Sequence, residues 1–157
     1  MADKKMTFIL PDLNATAALA VWLMPLLRAH DVITLQGDIG AGKTTFVRAL
    51  LQAFGITEEV PSPTFTLVQN YKAVPFPIYH FDLYRLKKTA EIEELGWDDA
   101  RADGLVIVEW PERATSFMPR DRLALLFKMD PKGKRSVKLE PQGSWGARLG
   151  KPKHEPA

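Results

Sequence analysis

The sequence predicts a small α/β sandwich with a mostly parallel central sheet, and three stretches carry that prediction. Gly37-Asp38-Ile39-Gly40-Ala41-Gly42-Lys43-Thr44 lies between a short apolar run, Val32 to Leu35, and a run of helical periodicity, Lys43 to Phe54. Leu105-Val106-Ile107-Val108 is a continuous apolar run of strand length, which suits a strand covered on both faces. Arg122 to Phe127 and Ser136 to Leu139 flank the turn Asp130-Pro131-Lys132-Gly133, a pattern that predicts an antiparallel edge hairpin.

The remaining elements follow in chain order. Thr7 to Leu10 reads as a short strand, and Asn14 is placed to cap a helix that turns Ala18, Val21 and Trp22 inward and ends or kinks at Pro25. In the helix from Lys43, residues Phe46, Val47, Leu50, Leu51 and Phe54 share one face, and Gly55 offers a stop. Val60-Pro61-Ser62-Pro63 cannot be helical and leads to β-like runs at Thr64 to Gln69 and Pro77 to Phe81. Thr89 to Leu95 is a weak helical patch with an acidic start, followed by Gly96, and Trp97 to Arg101 connects it to the apolar run at Leu105.

The octet Gly37 to Thr44 fits the phosphate-loop pattern G-x-x-x-x-G-K-[ST], and its strand-loop-helix context is the one that gives the pattern meaning. Glycines let backbone N–H groups approach a polyanion, Lys43 supplies charge near the β- and γ-phosphates, and the Thr44 hydroxyl can hold Mg²⁺. The positive end of the helix dipole adds to the attraction. The whole run from Gly37 to Thr45 is therefore the predicted nucleotide-binding segment, in a P-loop NTPase-like three-layer sandwich.

At 157 residues, 46% of them hydrophobic, the chain predicts a single domain over residues 1–142. The stretch 143–157, rich in Gly, Pro and Lys, reads as a poorly ordered tail. A formal charge of +2 does not indicate a broad nucleic-acid footprint, so direct, tight binding of RNA or DNA is not expected. The absence of cysteine excludes disulfides and thiolate chemistry, and no apolar stretch is long enough to cross a bilayer. A cytoplasmic setting fits these features.

A nucleotide hydrolase needs a second magnesium-facing carboxylate, usually an acid at the end of a buried strand, and Glu109 follows Val108 directly. The segment Tyr79-His80-Phe81-Asp82-Leu83-Tyr84-Arg85 concentrates groups that polarise water, stack and neutralise phosphate. Asp82 can orient or deprotonate an attacking water, and Arg85 can meet charge developing on the γ-phosphoryl. The same residues also fit an amphipathic strand with Asp82 and Arg85 as a surface ion pair, and residue type alone does not separate the two.

His80, beside aromatics, reads as a hydrogen-bonded structural residue whose partner the sequence does not reveal. Thr64 is a candidate γ-phosphate sensor, although ordinary β-forming threonines on a proline-stiffened connection are the preferred reading. For Lys132, Lys134, Arg135 and Lys138, a solvated hairpin face is preferred over RNA contact.

Four motifs occur in order: GDIGAGKTT at Gly37 to Thr45, SPTFTLV at Ser62 to Val68, YHFDLYRL at Tyr79 to Leu86 and VIVEWPE at Val106 to Glu112. Together they closely resemble the bacterial TsaE family of small ATPases that support threonylcarbamoyladenosine formation on tRNA. The resemblance spans residues 7–130 and implies an ATPase with Mg²⁺ as its metal, weak alone and active with a complex of two sugar-kinase-like subunits (the TsaB and TsaD type). It implies phosphate and magnesium roles for Lys43 and Thr44, a magnesium-side role for Glu109, and a functional requirement for Asp82. A small-molecule kinase using the same phosphate loop is the rival reading. A nucleotide held as a purely structural ligand is a third, which Asp82 and Glu109 oppose. A GTPase is disfavoured because no N-K-x-D motif is found. The turn Leu10 to Thr16 is a candidate purine contact.

Overall fold

The computed structural model describes residues 6–57 and 67–149. Its sheet runs in the order β1-β7-β6-β2-β5-β4-β3, with strands β1 Met6–Ile9, β2 Val32–Gln36, β3 Val68–Tyr71, β4 Ile78–Asp82, β5 Leu105–Glu109, β6 Leu123–Met129 and β7 Arg135–Pro141. Helices α1 Leu13–Leu23, α2 Lys43–Ala53, α3 Glu91–Glu94, α4 Trp97–Asp103 and α5 Trp145–Leu149 accompany it.

The four central strands β6, β2, β5 and β4 are mutually parallel. Antiparallel pairings β1–β7, β6–β7 and β3–β4 flank them, so the sheet is mixed rather than mostly parallel. The predicted hairpin exists, but it is not the edge. Leu123, Ala124 and Leu125 are buried, so β6 enters beside β2, and β1 pairs outside β7 to take the edge.

Alternation along the strands divides the core into two layers. Ile33, Leu35, Leu105 and Ile107 pack with Leu19, Leu23, Phe46 and Leu50, while Val32, Val106 and Val108 pack with Ile92, Trp97 and Ala114 on the opposite face. The sandwich is therefore three-layered, and the α2 side carries the larger core. In α2 the buried apolar side chains are Phe46, Val47, Leu50 and Leu51, as the periodicity predicts, while Phe54 is half-buried at the cap just before Gly55.

The first helix departs from its predicted phase. Asp12, not Asn14, caps α1 by accepting from the Ala15 N–H at 2.9 Å, and the buried face is Thr16, Leu19, Ala20 and Leu23. Ala18 and Val21 point outward, and Trp22 packs half-buried against Phe8. The run is so uniformly apolar that composition does not fix its phase. Pro25 does end it, in a 3₁₀ turn at Met24–Leu26.

The run read as a strand from Thr64 begins at Val68, after Leu67 at a φ of 65°; Thr64 and the rest of Ser62 to Thr66 lie outside the described residues. Gly104 permits a tight approach of β5 to the chain before β4. A Cβ there would come within 2.1 Å of the Pro77 carbonyl oxygen, which accepts the Leu105 N–H.

The stretch from Gly143, predicted to be a poorly ordered tail, is ordered as far as Leu149. Trp145 and Leu149, four residues apart on α5, bury one face of that short helix in the core. Arg148 stacks on Trp145, its guanidinium carbon 3.9 Å from the ring centroid, and donates to the Asp31 carboxylate and the Leu26 carbonyl. These contacts hold α5 against the N-terminal side of β2.

Candidate functional site

Parallel register places Leu35, Glu109 and Asp82 side by side at the carboxyl ends of β2, β5 and β4. Because side chains alternate, Asp82 and Glu109 share the face of Ile107 and Leu35, the face over which α2 packs. The phosphate-type loop follows β2 immediately, so the amino end of α2 arrives beside both carboxylates. A cleft of about 400 Å³ results, lined by Ile39, Gly40, Gly42, Lys43, Thr44, Thr45, Asp82, Tyr84, Arg85, Glu109, Trp110 and Arg135.

The loop is wound as its glycines demand. Gly37 adopts a φ of 146°, and a Cβ there would lie 2.6 Å from the Phe127 carbonyl oxygen on β6. Any side chain would therefore lever the loop away from the sheet. Gly42, in a left-handed conformation, precedes α2, and Gly37, Asp38, Ile39 and Ala41 line a second hollow of about 590 Å³ toward Ile9 and Met129.

Lys43 is 5% exposed, and its ammonium donates to the Gly37 carbonyl while lying 3.5 Å from the centroid of the Trp110 ring. Desolvation pushes this amine below its ordinary pKa of 10.5, and the charges of Glu109, Glu112, Asp82 and Asp38 oppose that shift. Such a cation gains most from an anion that replaces its lost hydration, and a phosphate is an anion of that kind.

Trp110 holds its position through an unusual backbone. It sits at a φ of 59° directly after β5, a conformation costly for an aromatic residue, and Pro111 starts the 3₁₀ turn Pro111–Phe117 behind it. Its ring also packs on Tyr84, with centroids 4.8 Å apart, and Arg113 approaches the other ring of that pair at 5.8 Å. The nearness of Trp110 to Lys43 is tertiary and has no local signal in the sequence.

Asp82 is 5% exposed and accepts the Tyr84 N–H at 3.1 Å, which folds the chain so that Arg85 also faces the cleft. Glu109 is 3% exposed and pairs with His80. All the predicted residues of the loop, with Thr44, Asp82, Arg85 and Glu109, are thus gathered around one end of the sheet. Arg135 joins them from the start of β7, where the sequence reading placed it on a solvated hairpin face. The turn Leu10 to Leu13, with Thr16, shares a third hollow of about 410 Å³ with Gly42, Thr45 and Lys132 to Arg135.

The donors in the cleft suit a hard cation. Thr44 offers a hydroxyl and Glu109 a carboxylate, and the described residues contain no group of three or more His, Cys, Asp or Glu able to enclose a metal by themselves. Mg²⁺ shared between one or two protein oxygens, substrate phosphate and water fits such a set.

Comparison with known proteins agrees with this arrangement. The model of the family described as "Threonylcarbamoyl adenosine biosynthesis protein TsaE" matches residues 10–137. A protein of Synechocystis sp. named as tRNA threonylcarbamoyladenosine biosynthesis protein TsaE is 47% identical over 118 residues, covering 72% of this chain and 74% of that protein. The Bacillus subtilis protein of the same name is 36% identical over 130 residues, or 82% of this chain and 81% of its own length. The match to the Rickettsia conorii protein is 48% identical and spans 56% of that protein. The crystal structure of Bacillus subtilis YdiB superposes with a TM-score of 0.79 at 27% identity, covering 96% of this chain and 95% of that one. On its loop, its strand-end acids and these matches, the chain belongs to the TsaE family.

Proposed function

We propose that this protein is a Mg²⁺-dependent ATPase that drives the cycle of a partner complex forming threonylcarbamoyladenosine on tRNA. The observation that carries the reading is the row Leu35, Glu109, Asp82, which puts two buried acids against the Lys43 end of α2 in one cleft. A purely structural nucleotide site needs the loop and the lysine, but it has no use for a second buried carboxylate.

In this reading the loop from Gly37 to Thr45 cradles the phosphates and Lys43 exchanges the Gly37 carbonyl for a phosphate oxygen. Asp82 orients the attacking water and accepts its proton, while Arg85 offsets charge at the γ-phosphoryl. Mg²⁺, when held by Thr44 and Glu109, would neutralise charge on the phosphate oxygens. The hollow between Leu10–Thr16 and Lys132–Arg135 has room for a base and ribose beside Gly42, and the preference for adenine rests on the family resemblance.

The names of the relatives support a place in tRNA modification, and the partner expected is the two-subunit sugar-kinase-like complex. A cytoplasmic location would follow from that pathway, and no helix among the described residues is long and apolar enough to cross a membrane. Phosphate release from Mg²⁺-ATP, followed with and without that complex, tests the cycle. Slow release alone and faster release in the mixture is the expected result. An unchanged rate would contradict partner dependence, and transfer of phosphate to a metabolite would show a kinase instead.

A further inference from the structure

Position 80 lies in the middle of β4, between apolar neighbours, on the face that carries Ile78 and Ile107 into the larger core. A leucine would pack there without leaving any polar atom to satisfy. The chain instead buries an imidazole, 1% exposed, whose Nε2 lies 2.7 Å from Oε2 of Glu109. Its Nδ1 has no hydrogen-bond partner among the described residues. Burial of a polar ring is unfavourable unless its hydrogen bonds are made, and among the described residues the bond to Glu109 is the one this ring makes.

The lone partner also fixes the tautomer. A hydrogen on Nε2 can donate to the carboxylate and leaves Nδ1 as a lone pair; the other tautomer would bury an N–H with no acceptor among the described residues and turn a ring lone pair toward the carboxylate, the costlier arrangement. The ring therefore donates to one oxygen of Glu109 and leaves the second oxygen for another ligand. Because His80 and Asp82 are two residues apart on one strand face, the same strand sets the height of the imidazole and of the second acid.

We infer that His80 is a positioning residue for magnesium, holding the Glu109 carboxylate in the orientation that receives the cation or its water. The inference rests on reading the cleft as a Mg²⁺-nucleotide site. Partners of this kind, one bond removed from a metal, commonly change metal affinity by about 10–100-fold when lost.

The test uses the full chain and a non-hydrolysable ATP analogue titrated by calorimetry with Mg²⁺ and with EDTA. In His80→Leu, the ratio of affinities with and without Mg²⁺ is expected to fall about tenfold, and the Mg²⁺ concentration giving half the effect to rise by a similar factor. His80→Gln, whose amide N–H can reach the same oxygen, is expected to recover most of the loss. A folded His80→Leu protein with the wild-type ratio would overturn the inference, as would a His80→Gln protein as impaired as His80→Leu. If the wild type itself bound the analogue with no Mg²⁺ effect, the magnesium reading of the cleft would fail first. Should His80→Leu not fold, ¹⁵N NMR of the wild-type imidazole decides: hydrogen on Nε2 supports the inference, and hydrogen on Nδ1 overturns it.

Discussion

Asp82→Ala is expected to bind ATP within a few-fold of the wild type while releasing phosphate about 10²–10⁴ times more slowly, the range a positioned acid–base group contributes. The expectation follows from where the carboxylate sits. It is nearly buried, faces the cleft beside Glu109, and is set by β4 rather than by the phosphate loop. Asp82 also accepts the Tyr84 N–H, so truncation loosens the turn that presents Arg85. Asp82→Asn separates the two effects because it keeps an acceptor for that N–H but loses the charge. Single-turnover phosphate release, run beside a nucleotide titration, makes the comparison. If binding and turnover fell together in both variants, Asp82 would be holding nucleotide rather than reacting with water.

Trp145→Ala is expected to cost about 3–5 kcal/mol of folding stability, measured as a lowered denaturant midpoint at unchanged slope. The indole is 1% exposed and belongs to the larger core, and its loss would also remove the surface on which Arg148 stacks. Arg148 would then hold Asp31 without its aromatic support, close to the start of β2. A midpoint within experimental error of the wild type would mean that α5 contributes nothing to the fold.

That second prediction is one the sequence does not supply, and the reason is instructive. Trp145 and Leu149 make a helical pair, but a five-residue helix is too short to show a period, and the Gly-Pro-Lys composition around it reads as unstructured. Helix α4 was hidden in the same way: only Trp97 and Ala100 of its seven residues are buried, and they span one turn. Strand order was also out of reach. β1 finds its partner more than 120 residues away along the chain, through the register Met6 with Leu139, and no local signal marks an edge strand that will cover a hairpin.

The legible parts were those whose chemistry is local. The octet from Gly37 specifies its own turn and helix start, Val32 to Leu35 and Leu105 to Val108 are short, β-branched apolar runs that suit buried strands, and Glu109 follows one of them without a gap. Residue type alone left Asp82 and Arg85 open between cleft and surface pair; the register with β5 puts Asp82 beside Glu109, and both line the cleft. Trp110, Arg135 and the partner of His80 depend on contacts between distant segments, and only the folded chain brings them together.

The central claim is that a triphosphate seats on the loop bearing Lys43 with Glu109 and Asp82 facing it. Calorimetric titration of ATP in the presence of Mg²⁺, wild type against Lys43→Ala, tests it most directly. Saturable one-to-one binding to the wild type, weaker binding of GTP, and no measurable heat with Lys43→Ala are expected. Absence of ATP binding to the folded wild type, or equal binding to both proteins, would contradict it.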